Sequence, residues 1–78
     1  MTQDGRLTLS QLPAGRMARV VSVLAGPRRV RLASLGLVVG ARVELTQRSP
    51  AIVARVGETT LAFEAEIGDE ILVQLDDR

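Results

Sequence analysis

The sequence predicts a mainly β domain, a small five-stranded barrel with a short helical insertion after its first strand. Three features carry that expectation. Apolar side chains alternate with period two through several short segments, and tight turns join those segments. The one stretch with helical spacing, Arg28 to Leu35, is bracketed by Pro27 and Gly36. Short strands with tight links are the pattern of a closed small barrel.

Residues 1 to 6 are polar and read as a flexible leader, so the domain is expected over 7–78. Leu7, Leu9 and Leu12 are spaced to cover one side of the barrel from a short turn, which Pro13-Ala14-Gly15 ends. Met17 to Leu24 is Val-rich and reads as the first strand. Val20, Val21 and Val23 do not share one alternation, so the strand needs a bulge or burial on both faces.

Ala25-Gly26-Pro27 breaks that strand, and Pro27 suits the first turn of a helix over Arg28 to Leu35. Val30 or Ala33 is expected to join Leu32 and Leu35 on the inner face, with Arg28, Arg29 and Arg31 in solvent. Gly36 is placed to end the helix in a left-handed conformation, and Leu37 to fold back on its last turn.

From Ala41 the period becomes two. Val43 and Leu45 face one way, and Arg42, Glu44 and Thr46 the other. Arg48-Ser49-Pro50 makes a turn into a strand in which Ile52, Ala54 and Val56 alternate with Val53 and Arg55. Gly57-Glu58 reads as a tight hairpin into Thr59 to Phe63, with Leu61 and Phe63 on one face. A single helical turn is expected within Glu64 to Glu70, and Ile71, Val73 and Leu75 alternate in a closing strand. Leu12-Pro-Ala-Gly15 and Leu37-Val-Val-Gly40 echo each other, each placing a glycine just before a strand where a turn calls for positive φ.

Composition narrows the function classes. Seventy-eight residues make one domain, since a chain this short removes only about 60% of its unfolded surface from water. It has no Cys for disulfides or zinc and no His, the commonest general base and transition-metal ligand. Enzymatic readings therefore lose their usual groups. Net charge is +1, all ten basic residues are Arg, and Phe63 is the single aromatic. That is too little for the stacking surface of a single-strand nucleic acid binder, and the weak overall field argues against nucleic acid generally. No apolar run nears the ~20 residues of a membrane span, and the polar start is unlike a signal peptide, so a cytoplasmic address is expected.

Few residue clusters suggest chemistry. Glu64, Glu66, Asp69 and Glu70 supply oxygens but match no EF-hand spacing and include no N or S ligand, so they read as solvated surface. Gly26-Pro27-Arg28-Arg29 lacks the spacing of a phosphate loop, and Ser10, Ser22, Ser34 and Ser49 have no His partner. No catalytic, cofactor-binding or metal-binding residue is assigned, and no cofactor. Arg28, Arg29 and Arg31 can grip an oxyanion or an acidic partner bidentately, the plain alternative being an exposed helix face. Leu32, Leu35, Leu37 and Val39 are dense for so short a segment, and divide between core packing and a partner-facing apolar groove.

Two ordered patterns carry a family resemblance. One is Leu9-Ser-x-Leu12-x-x-Gly15, then the Val-rich strand, then Arg28-Arg-x-x-Leu32-x-x-Leu35-Gly-Leu37-x-x-Gly40-x-x-Val43. The other is Gly57-x-Thr-Thr-Leu-Ala-Phe-x-x-Glu66-Ile-x-x-x-Ile71-x-Val73. Together, over about Leu7 to Leu75, they resemble the FeoA family. The resemblance implies an SH3-like barrel with a helical insertion after the first strand, and a small cytoplasmic, non-enzymatic accessory of bacterial ferrous iron uptake. It implies as partner the FeoB-like membrane transporter with its cytosolic GTPase domain. On family precedent the partner-binding candidates are Arg28, Arg29, Leu32 and Leu35. Many members of the family it resembles carry a longer Pro-Leu-Gly-Asp-Pro type loop where this chain has Ser49-Pro50-Ala51.

Alternatives from other classes are a general SH3-like protein-interaction adaptor, a FeoA-like module of a metal-dependent repressor, and a nucleic acid binder. No helix-turn-helix precedes the module in this sequence, which counts against the repressor. Direct membrane insertion is not expected. Weak self-association would run through an open strand edge.

Overall fold

Period-two burial sorts the strands as their sequences require. In β3 (Arg42–Gln47) Val43 and Leu45 are buried, in β4 (Ile52–Val56) Ile52, Ala54 and Val56, and in β6 (Ile71–Leu75) Ile71 and Val73. The structure, a computed structural model, describes residues 6–23 and 27–76. Within them, β1 (Arg6–Thr8), β2 (Met17–Val23) and β5 (Thr59–Phe63) complete one antiparallel six-stranded sheet in the order β1-β6-β2-β3-β4-β5. One apolar face of this sheet meets Leu9 and Leu12 from a 3-10 turn (Leu9–Gln11) and Leu32 and Leu37 from the helical insertion.

The expectation of a five-stranded barrel is corrected in three respects. The sheet has six strands, it is not closed, and the helix follows the second strand. β1 accounts for the first and third. It is three residues long, its pairing of Arg6 with Gln74 and Leu7 with Val73 is made with the far end of the chain, and no local pattern marks it. Closure needs the two outer strands to pair, and among the described residues β1 and β5 remain edges. Of the expected leader, residues 1–5 lie outside the described residues, and Arg6 belongs to β1.

The broken alternation of β2 is a bulge. Its register against β6 shifts between Val20, opposite Val73, and Ser22, opposite Leu72, leaving Val21 as the extra residue. A second shift, between Leu45 and Gln47 of β3, is bridged by the Thr46 hydroxyl, which donates to the Val53 carbonyl at 3.1 Å. The Ser49-Pro50 peptide is cis in the turn that follows.

Helix α1 (Pro27–Ser34) ends as its sequence indicates. Gly36 takes φ 101°, its N–H donates to Ala33 O at 3.0 Å, and the Leu37 N–H donates to Leu32 O at 3.0 Å. That is the Schellman pattern, in which a left-handed residue lets two otherwise orphaned carbonyls be satisfied. The accompanying apolar contact sets Leu37 and Leu32 in the core. The echo of Gly15 and Gly40 also holds as turn chemistry, with φ 89° and 93°. Their N–H groups donate across the β2–β3 boundary, Gly15 to Leu45 O and Gly40 to Val20 O.

The expected inner face of α1 is narrower than predicted. Leu32 is buried, whereas Val30 is 73% exposed, Leu35 41%, and Ala33 is exposed. A helix of two turns set against a sheet edge gives only one side chain per turn direct access to the core, and Gly36-Leu37 closes it before a second stripe can form. Ala25 and Gly26 lie outside the described residues.

The single turn expected near 64–70 is α2 (Ala65–Gly68). Its Gly68 is buried against the 3-10 turn, where a Cβ would meet Ile52 Cδ1 at 2.6 Å and the Ser10 Cβ and N at 3.3 Å. Only a glycine permits that approach. The Ser10 hydroxyl donates to Asp69 Oδ1 beside it, so α2 and the 3-10 turn are clamped by contact and by hydrogen bond.

Candidate functional site

Positions 28, 31, 32 and 35 stand at i, i+3, i+4 and i+7 along the insertion, so their side chains form one stripe. That stripe faces Leu61, Ala62 and Phe63 of β5 and Ile67 of α2 across a groove of about 360 Å³. Leu61 and Phe63 share the core-side face of β5, because alternate residues of a strand point the same way. The groove is apolar along its floor and carries guanidinium groups on one rim. Arg28 Nη1 donates to Glu70 Oε2 at 2.9 Å, tying α1 to the turn after α2.

Of the four residues expected to contact a partner, three meet here: Arg28, Leu32 and Leu35. Their roles differ. Leu32 is 8% exposed and belongs to the core, whereas Leu35 at 41% presents apolar surface to solvent. Arg29 does not join them. It lies on the opposite flank of α1, in a second depression of about 420 Å³ with Ser22, Val23, Ala33, Leu37, Val38 and Val39. A helix position adjacent in sequence to Arg28 turns away from it by about 100°.

Residues the candidate set omits are Arg31, Leu61, Phe63 and Ile67. The helical spacing of Arg31 with Arg28 and Leu35 was readable. So was the common face of Leu61 and Phe63, the latter the lone aromatic. Their meeting with α1 depends on how β5 and α2 are brought beside the helix, a long-range packing that no local pattern sets.

Chemically the groove offers burial and charge complementarity, and no reacting group. Leu35, Phe63 and Ile67 can take an apolar side chain, and the Arg31 guanidinium beside them a carboxylate. Of the acidic cluster, Glu70 engages Arg28 and Asp69 accepts from Ser10, while Glu64 and Glu66 are exposed. Among the described residues no group of three His, Cys, Asp or Glu is arranged to hold a metal ion, and no helix is long and apolar enough to cross a membrane.

The family model of the FeoA domain matches residues 7–75. The chain belongs to the FeoA family. Solved relatives agree with this assignment. The FeoA protein from Chlorobium tepidum is 34% identical with TM-score 0.82, over 88% of this chain and 70% of that one. The zinc complex of Stenotrophomonas maltophilia FeoA, an SH3 domain protein, is 31% identical with TM-score 0.71, over 90% of this FeoA-family chain and 89% of its own. A manganese-dependent transcriptional repressor matches at 18% identity with TM-score 0.80, over 97% of this chain and 45% of that one, a likeness of fold alone. No curated protein matches in sequence.

Proposed function

We propose that this chain is a non-enzymatic cytoplasmic accessory of ferrous iron uptake that binds the cytosolic region of a FeoB-like transporter. Membership of the FeoA family supports the link to ferrous iron transport. The S. maltophilia relative, described as a candidate activating factor of that transport, supports an accessory role. The observation that carries the binding reading is the α1–β5 groove, where Arg28, Leu32 and Leu35 gather with Phe63 and Ile67 and where exposed Leu35 lies beside a guanidinium rim. Apolar floors with arginine at the border are typical of interface centres.

The test is co-purification of the chain with the cytosolic region of the FeoB transporter from the same organism, alongside ferrous uptake in a deletion strain. Arg31→Glu, on the groove, should weaken association, and Arg29→Glu, on the opposite flank, should leave it nearly unchanged. No association, with uptake unaffected by deletion, would sink the reading.

A further inference from the structure

The two edges of the sheet are guarded unequally. β1 is three residues long and starts with Arg6, a short charged edge of the kind that discourages pairing. β5 is five residues, Thr59-Thr-Leu-Ala-Phe63, with no charge, no proline and an unbroken register against β4 from Val56–Thr59 to Ile52–Phe63. Among the described residues no strand covers its outer side.

The hairpin geometry shows which groups are free. Val56 opposite Thr59 closes a two-residue turn, so that pair exchanges hydrogen bonds, and alternation makes Ala54–Leu61 and Ile52–Phe63 the other bonded pairs. The backbone N–H and C=O of Thr60 and Ala62 therefore point outward. A strand added there would place the residues opposite Leu61 and Phe63 on the core-side face, directly over the groove floored by Leu35 and Ile67.

We infer that the β5 edge takes an extended strand from the transporter's cytosolic region, apolar at its groove-facing positions and not acidic at its ends. The inference rests on the proposed partner. Charge selects against a second copy of this chain as occupant. In the two-fold antiparallel register that uses both outward residues, Thr60 would face the second copy's Ala62, which brings Glu58, in the turn before the strand, near its Glu64, just past the strand's end. Like charges would then lie near each other beyond both ends of the paired strands. A partner strand with neutral or basic ends meets no such repulsion, and an acidic residue beside its apolar positions would reach Arg31.

Ala62→Pro tests this on the intact chain. Its N–H points away from β4, so proline removes an outward donor without breaking the existing ladder. The variant should keep the wild-type circular dichroism and bind the FeoB cytosolic region about tenfold or more weakly, through loss of an edge hydrogen bond and a steric block. Independently of any variant, the Thr60 and Ala62 amides of the wild type should exchange quickly when free and become protected in the complex. Wild-type association with both amides unprotected and Ala62→Pro binding equally would overturn the strand addition and leave the partner reading standing. Failure of the wild type to associate would remove both. Dimerisation abolished by Ala62→Pro would instead place a second copy at the edge and overturn the assignment.

Discussion

Arg28 and Glu70, 42 positions apart in sequence, meet at 2.9 Å and join the start of α1 to the turn after α2. Both side chains are substantially exposed, so solvent and salt screen the pair. Arg28→Ala should therefore change stability by only about 0.5 kcal/mol in denaturant unfolding. A loss of several kcal/mol would show that the pair fixes α1 in place.

Gly36 tests how α1 stops. With φ at 101°, an alanine would be strained, and its Cβ would also reach Val56 Cγ1 at 3.4 Å. Gly36→Ala should cost about 1–2 kcal/mol. Gly36→Asn, which tolerates left-handed backbone better, should recover part of that in the same titration.

Gly68→Ala sets helix propensity against space. Alanine should favour the helical turn by about 1 kcal/mol, but its Cβ would overlap Ile52 Cδ1 and press on the Ser10 backbone. Ile52 is buried, so its side chain gives way only by repacking the core around it, and a net destabilisation of about 1–2 kcal/mol is expected. Because Ile52→Val removes the overlapping methyl, the double variant should lose less than the sum of the two single ones. Additive losses in that cycle would contradict the packing account.

Leu32 and Leu35, three positions apart, should separate folding from binding. Leu32→Ala opens a cavity in the core and should cost about 2–4 kcal/mol of stability. Leu35→Ala, on a side chain already 41% exposed, should cost under about 1 kcal/mol. It should nevertheless weaken capture of the FeoB cytosolic region. The opposite ranking in thermal melts would mean that α1 buries a different face.

Much of the architecture was legible because its signals are local. Alternation in β3, β4, β5 and β6, the Gly57-Glu58 turn, the bulged β2 and the Gly36 stop each depend on residues a few positions apart, and each appears where the sequence indicates. β1 was not legible, since Arg6–Thr8 is a strand only because β6 lies beside it. The inner face of α1 was overestimated for a related reason. Val30 and Leu35 have the right chemistry for burial, but the sheet offers room only to Leu32 and then Leu37.

The candidate site divides in the same way. Arg28, Leu32 and Leu35 share a helical stripe that spacing alone defines, while Arg29 leaves the set through the same helical geometry once the docked flank is known. Phe63 and Ile67, 28 and 32 positions beyond Leu35, enter it from separate elements, a juxtaposition without any local trace.

Local patterns along the chain are enough to specify a Cys- and His-free, mainly β domain of the FeoA family, with the location and ends of its helix. The tertiary structure decided that six strands form an open sheet, that β5 is its uncharged edge, and that one flank of α1 forms a groove with that edge. The division follows from range. Turns, caps and alternation are set by steric and burial preferences within a few residues, whereas strand order and groove walls arise from contacts whose partners only the folded chain brings together.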